Sequence, residues 1–132
     1  MMPRRLFRRG HRGQSLTEFA LILPVFIMVT VGIVDAGRAI YSYNTVANSA
    51  RAAARVAIVN QDATDIRNAA IAAAPGLGLT SADVVLVPCA QLDCKYSVTV
   101  DYDFAPVTPF VSEIFNPVIS STAEMRVEFP NP

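Results

Sequence analysis

The chain has 132 residues, 52% of them apolar and 17% charged, which is enough for one small domain and suggests a membrane segment. The formal net charge is zero, but residues 1–13 hold five arginines and no acid, whereas residues 14–132 hold six basic and eleven acidic side chains. The larger part is therefore acidic, which argues against nucleic-acid binding.

The N-terminal region combines a basic leader with an apolar run. Residues 19–34 form a stretch of 16 residues without a charge. Spanning a bilayer takes roughly 20 residues of helix, so we expect residues 14–36 to form the transmembrane segment. Only Arg38 follows closely on the far side. The positive-inside rule then predicts a cytoplasmic leader, residues 1–13, and an extracytoplasmic α+β domain, residues 37–132.

Two residues of this segment are unusual for a simple anchor. Glu18 lies at the edge of the apolar run, where an acid is costly in lipid, although the positive end of the helix dipole offsets part of that cost. Its carboxylate could also reach the headgroups. Pro24 removes a backbone hydrogen bond and predicts a kink in the helix.

The string RGQSLTEF at residues 12–19 resembles the processing site of type IV pilin-like proteins. In that class a peptidase cuts after a glycine at the cytoplasmic face, and a glutamate is fifth in the mature chain. Glu18 is fifth when counted from Gln14. A second glycine, Gly10, has no acid five residues after it, which disfavours it as the cut site. The longer stretch from residue 8 to about 60 is similar to the TadE-like family, the minor pseudopilins of the tight-adherence (Flp) pilus system.

The resemblance implies a role in pilus assembly. Cleavage between Gly13 and Gln14 would expose a new α-amine, and the Glu18 carboxylate of a neighbouring subunit could pair with it and set the register of assembly. The implied partners are membrane lipid, other pilin or pseudopilin subunits, a prepilin peptidase and the Tad platform proteins. The implied location is the bacterial inner membrane, with no cofactor and no small-molecule substrate.

A single helix is predicted from Gln14 to about Ile58, 45 residues and roughly 65 Å long. Beyond the membrane we expect its alanine-rich part, residues 47–57, to pack on the protein's own sheet. Residues that follow helical spacing define the predicted apolar face. These are Ala39, Ile40, Tyr43, Val46, Ala47, Ala50, Ala54, Ala57 and Ile58, with Arg38, Ser42, Thr45, Asn48 and Arg55 on another face.

The remaining residues predict a short helix and three strands. Asp62 is the expected N-cap and Asp65 the acid of the first turn, with the helix running to Ala74 before Pro75. A continuous apolar run then predicts one strand, and alternation of apolar and polar residues predicts two more, in an antiparallel sheet with one buried face. Its strands are expected at residues 84–87, 95–104 and 121–129, giving a pilin-like α+β fold.

Cys89 and Cys94 lie between the first two predicted strands. Outside the cytoplasm a disulfide between them is expected to stabilise a domain with a thin core. A metal site or a Cys-x-x-Cys redox pair is disfavoured by the spacing and by the lack of histidine outside the leader.

The loop of residues 105–119 carries Phe110, Ile114 and Phe115 between prolines. These apolar side chains could cap the sheet, touch the membrane or meet a partner, and core packing is the commonest outcome.

No catalytic constellation, phosphate-binding loop or metal cluster is evident, so we do not expect an enzyme. Besides the pseudopilin, two alternatives remain. A secreted binding module would arise if an ordinary signal peptide were cut after Ala36, and a membrane-anchored adaptor if the chain were never cut. The mature N-terminus separates the three: Gln14, Gly37 or the initiator methionine.

Overall fold

The computed structural model describes residues 12–89, 95–108 and 117–127. A long helix is followed by a short helix, a 3-10 turn and three strands, which confirms the predicted α+β class. The bounds are α1 Arg12–Ala57, α2 Ala63–Ala72, the 3-10 turn Ser81–Asp83, β1 Val84–Val87, β2 Lys95–Asp103 and β3 Val118–Arg126.

The strands form one antiparallel sheet in the order β1-β2-β3. In the central strand β2 the predicted alternation is confirmed, because Tyr96, Val98 and Val100 are buried towards α1. Strand β3 begins at Val118, earlier than predicted, and Val118 pairs with Asp103. The earlier start extends the period-two pattern, since Ile119 joins the half-buried face.

The distal half of α1 covers this sheet. Val46, Ala50, Ala53 and Ala57 are fully buried in one stripe, so the alanine-rich part packs on the protein's own sheet as predicted. Because the alanine side chains are small, the larger side chains of β2 pack directly against the backbone of the helix.

The predicted apolar face of α1 is wrong in the part nearest the apolar run. Ile40 and Tyr43 are 64% and 59% exposed, whereas Ser42 is buried. The buried stripe repeats at alternating intervals of four and three residues, which carries Asp35 and Ser42 into line with Val46 and the alanines. Because the alanines set which side of the helix meets the sheet, Ile40 and Tyr43 lie outside the stripe.

The N-cap of α2 is as predicted. The Asp62 carboxylate accepts hydrogen bonds from the backbone N–H groups of Thr64, at 2.7 Å, and Asp65, at 3.4 Å. These bonds hold the pKa of Asp62 below its ordinary value. The helix ends at Ala72, two residues before the predicted end, because its last turn tightens: the N–H of Ala74 donates to the carbonyl of Ile71.

One buried polar atom in α1 is poorly satisfied. Ser49 is fully buried, and its Oγ has no hydrogen-bond partner within the described part of the chain. Removing the hydroxyl by Ser49→Ala is expected to raise the free energy of unfolding by about 1 kcal/mol, part of it from helix propensity. Thermal unfolding in detergent measures the change, with the exposed Ser120→Ala as a neutral control. A loss of stability in Ser49→Ala would mean that the hydroxyl has a partner.

Candidate functional site

The first turns of α1 bring together the residues of the predicted processing site. Gly13 and Gln14 lie at the start of the helix and are exposed. The Gln14 Nε2 donates to Glu18 Oε1 at 3.3 Å, and Thr17 Oγ1 donates to the Gly13 carbonyl at 2.9 Å. Residues four apart share a helix face, so Glu18 lies one turn from the bond between Gly13 and Gln14.

The next four turns of α1 present an apolar surface. Phe19, Leu21 and Phe26 are among its exposed side chains, each more than 60% exposed. The most apolar stretch of the helix is only 6% buried, and exposed apolar surface of this extent marks a site of membrane or protein interaction. By length and composition, α1 could cross a membrane.

Pro24 lies inside α1, and the helix continues through it. The proline cannot donate a hydrogen bond to the carbonyl of Ala20. The kink at Pro24 stays a prediction. The same segment has a further side-chain hydrogen bond one turn long, which Thr30 Oγ1 donates to the Phe26 carbonyl at 2.8 Å.

At the end of the apolar surface, Asp35 joins α1 to the segment that follows β2. Its carboxylate accepts hydrogen bonds from the backbone N–H of Val107, at 3.0 Å, and of Thr108, at 2.7 Å, and from the Thr108 hydroxyl. Asp35 is 8% exposed and Thr108 4% exposed. We call this set of contacts the Asp35 clasp; it fixes the segment that follows β2 to the helix.

Arg38 completes the clasp. Its Nη1 lies 3.1 Å from Asp35 Oδ1 and 3.4 Å from the carbonyl oxygen of Ala105. The guanidinium carbon lies 5.5 Å from the centre of the Phe104 ring, within cation–π range. The two charges that follow the apolar run therefore neutralise each other and contact the domain.

No role was predicted for Asp35 from the sequence. One local signal was available: Asp35 and Arg38 are three residues apart on a helix, the spacing of an ion pair. Its partners at residues 107 and 108 lie more than 70 positions away, and no local pattern points to them.

Other predicted site residues are only partly described. Cys89 follows β1 and is 9% exposed, but Cys94 lies outside the described residues, so the disulfide stays a prediction. Phe110, Ile114 and Phe115 also lie outside them. Within residues 12–89, 95–108 and 117–127, no group of three or more His, Cys, Asp or Glu side chains is placed to hold a metal ion.

Comparison with known proteins gives one match. Residues 13–55 match the family model described as TadE-like protein, a pilus-associated structural family. This segment is about a third of the chain and covers the apolar surface, the two clasp residues of α1 (Asp35 and Arg38) and most of the buried stripe of α1. No curated protein and no solved structure matches the chain. The resemblance to the TadE-like family is therefore confirmed over residues 13–55, and this segment, on a helix that could cross a membrane, fits a membrane protein associated with the Tad pilus.

Proposed function

We propose that this chain is a minor pseudopilin that takes part in assembly of a tight-adherence (Flp) pilus or a related secretion system. Residues 14–36 insert in the bacterial inner membrane, with residues 1–13 in the cytoplasm and residues 37–132 outside. A prepilin peptidase cuts after Gly13. The chain then associates with other pilin or pseudopilin subunits and with the platform proteins of the system.

One observation supports this proposal above the others. In a TadE-like segment, Glu18 is exposed at the start of the apolar surface, hydrogen-bonded to the residue that would become the new N-terminus. Within one chain, the Gln14 side chain donates a hydrogen bond to one oxygen of the Glu18 carboxylate. In the proposed assembly the α-amine of a neighbouring subunit pairs with the same carboxylate, and the pairing is strong where water is excluded.

The Asp35 clasp argues against the secreted module. A signal peptidase cut after Ala36 would fall inside α1 and separate Asp35 from Val107 and Thr108. The released domain would then lose the side-chain acceptor of two backbone N–H groups and the partner of Arg38, and with them the contacts that hold residues 107 and 108 to the helix. An uncut anchor would keep the clasp but would give Glu18 no amine to bind.

Processing is tested by two matched glycine substitutions, Gly13→Leu and Gly10→Leu, in cells that carry the peptidase. We expect Gly13→Leu to accumulate at the full-length mass and Gly10→Leu to be cut like the natural chain. A Cβ added at Gly13 meets nothing within 4 Å, so the fold accommodates the leucine and lost cleavage reports recognition by the peptidase. Cleavage of Gly13→Leu at the natural rate contradicts the proposal.

A further inference from the structure

An apolar groove lies where the long helix meets the membrane-proximal end of the sheet. Its volume is about 480 Å³. Ala36, Ile40 and Tyr43 line it from α1, and Phe104, Pro106 and Ile119 line it from the other side. The Asp35 clasp holds residues 107 and 108 beside the helix at residue 35, so the groove opens at the level where the apolar surface of α1 ends.

The length of the apolar run indicates where the groove lies relative to a bilayer. Sixteen helical residues extend roughly 24 Å, whereas the hydrocarbon core of a bilayer is about 30 Å thick. About four more residues of apolar surface are needed to match it. The inserted segment of the proposed function, residues 14–36, supplies this length and ends at Ala36, which lines the groove. The C-terminal end of the segment, at residues 35–40, therefore has to suit the outer boundary of the membrane.

Charge and exposure at that end fit this requirement. Asp35 and Arg38 are paired with each other and bonded to residues 105–108. The flank of α1 beside the groove stays apolar, with Ile40 64% and Tyr43 59% exposed. Tyrosine is enriched where membrane meets water. The apolar surface is thus continuous from the membrane-spanning run into the groove.

We propose that this groove is a lipid-contact surface of the extracytoplasmic domain, occupied by acyl chains of phospholipids in the outer leaflet. The inference rests on the proposed function, because it needs α1 to be in a membrane. Val107, 65% exposed beside the clasp, then lies in the interfacial region. The domain is held against the bilayer surface by contacts of its own, in addition to the tether of its helix.

Single tryptophan reporters test the proposal, since the natural chain contains no tryptophan. The reporters are Tyr43→Trp in the groove, Val107→Trp beside it, Val29→Trp in the middle of the apolar run and Val59→Trp at the distal end of the helix. All four positions are more than half exposed, so the new side chain disturbs no core. Each full-length variant is reconstituted in phosphatidylcholine vesicles whose acyl chains carry bromine, a contact quencher of tryptophan, at shallow or deep positions.

We expect Tyr43→Trp and Val107→Trp to lose fluorescence most with shallow bromine, Val29→Trp to lose it most with deep bromine, and Val59→Trp to keep it. If Val29→Trp is quenched but either Tyr43→Trp or Val107→Trp is not, the groove is covered by protein, such as a second copy or residues 109–116, and the inference is overturned while the proposed function stands. If Val29→Trp itself is not quenched, membrane insertion fails, and the proposed function fails with it.

Discussion

Glu18→Gln is expected to abolish co-isolation of this chain with pilus subunits, by at least about tenfold, while leaving the chain inserted and folded. The amide keeps the size of the carboxylate and can still accept the hydrogen bond from Gln14. It has no charge to pair with the α-amine of a neighbouring subunit, and an unpaired amine in a low-dielectric bundle is strongly destabilising. Affinity isolation from detergent-solubilised membranes measures the effect.

A matched control is available on the sheet. Glu124 forms an ion pair with Lys95 at 3.2 Å on the open face of the sheet, with both side chains more than half exposed. Exposed pairs of this kind contribute little to stability, so Glu124→Gln should co-isolate like the natural chain. Equal recovery of Glu18→Gln and Glu124→Gln would remove Glu18 from the assembly contact.

Asp35→Ala is expected to open the clasp. The backbone N–H groups of Val107 and Thr108 lose their acceptor, and Arg38 loses its ion-pair partner. Hydrogen–deuterium exchange at residues 104–108 should then accelerate on the order of tenfold, the effect typical of losing bonds to an ionised acceptor. Exchange in the β2 core around Val98 and Val100 should not change, because these residues pack on the distal half of α1.

Asp103→Ala serves as the comparison for that experiment. Asp103 is an exposed acid at the end of β2, next to the same segment. Its removal changes the local charge by the same amount without touching the clasp. If Asp103→Ala accelerated exchange at residues 104–108 as much as Asp35→Ala, the protection would come from charge and not from the hydrogen bonds of Asp35.

Short-range sequence patterns were sufficient to predict the helices and strands of this fold. A continuous apolar run located β1, and two-residue alternation located β2 almost to the residue. Asp62 was recognisable as an N-cap because its side chain acts within three positions. The start of α1 and its length likewise follow from composition. The 3-10 turn at residues 81–83 was not predicted, because its three residues carry no periodicity of their own.

Features set by tertiary contact were not predictable in the same way. The rotation of α1 about its axis depends on which residues meet the sheet. The buried stripe contains three polar residues, Asp35, Ser42 and Ser49, so a search for apolar residues at helical spacing does not find it. The clasp depends on a pairing between α1 and residues 107 and 108 that no short-range spacing encodes. At the predicted processing site, in contrast, the contact between Gln14 and Glu18 spans one helical turn.

The intact mass of the protein recovered from membranes of cells that carry the whole pilus system tests the central claim most directly. We expect the mass of a chain that begins at Gln14, bound to the membrane through an intact α1 and ready to present an amine to a neighbour's Glu18. A mass that retains the five arginines of the leader, or a soluble product that begins at Gly37, would contradict the pseudopilin assignment.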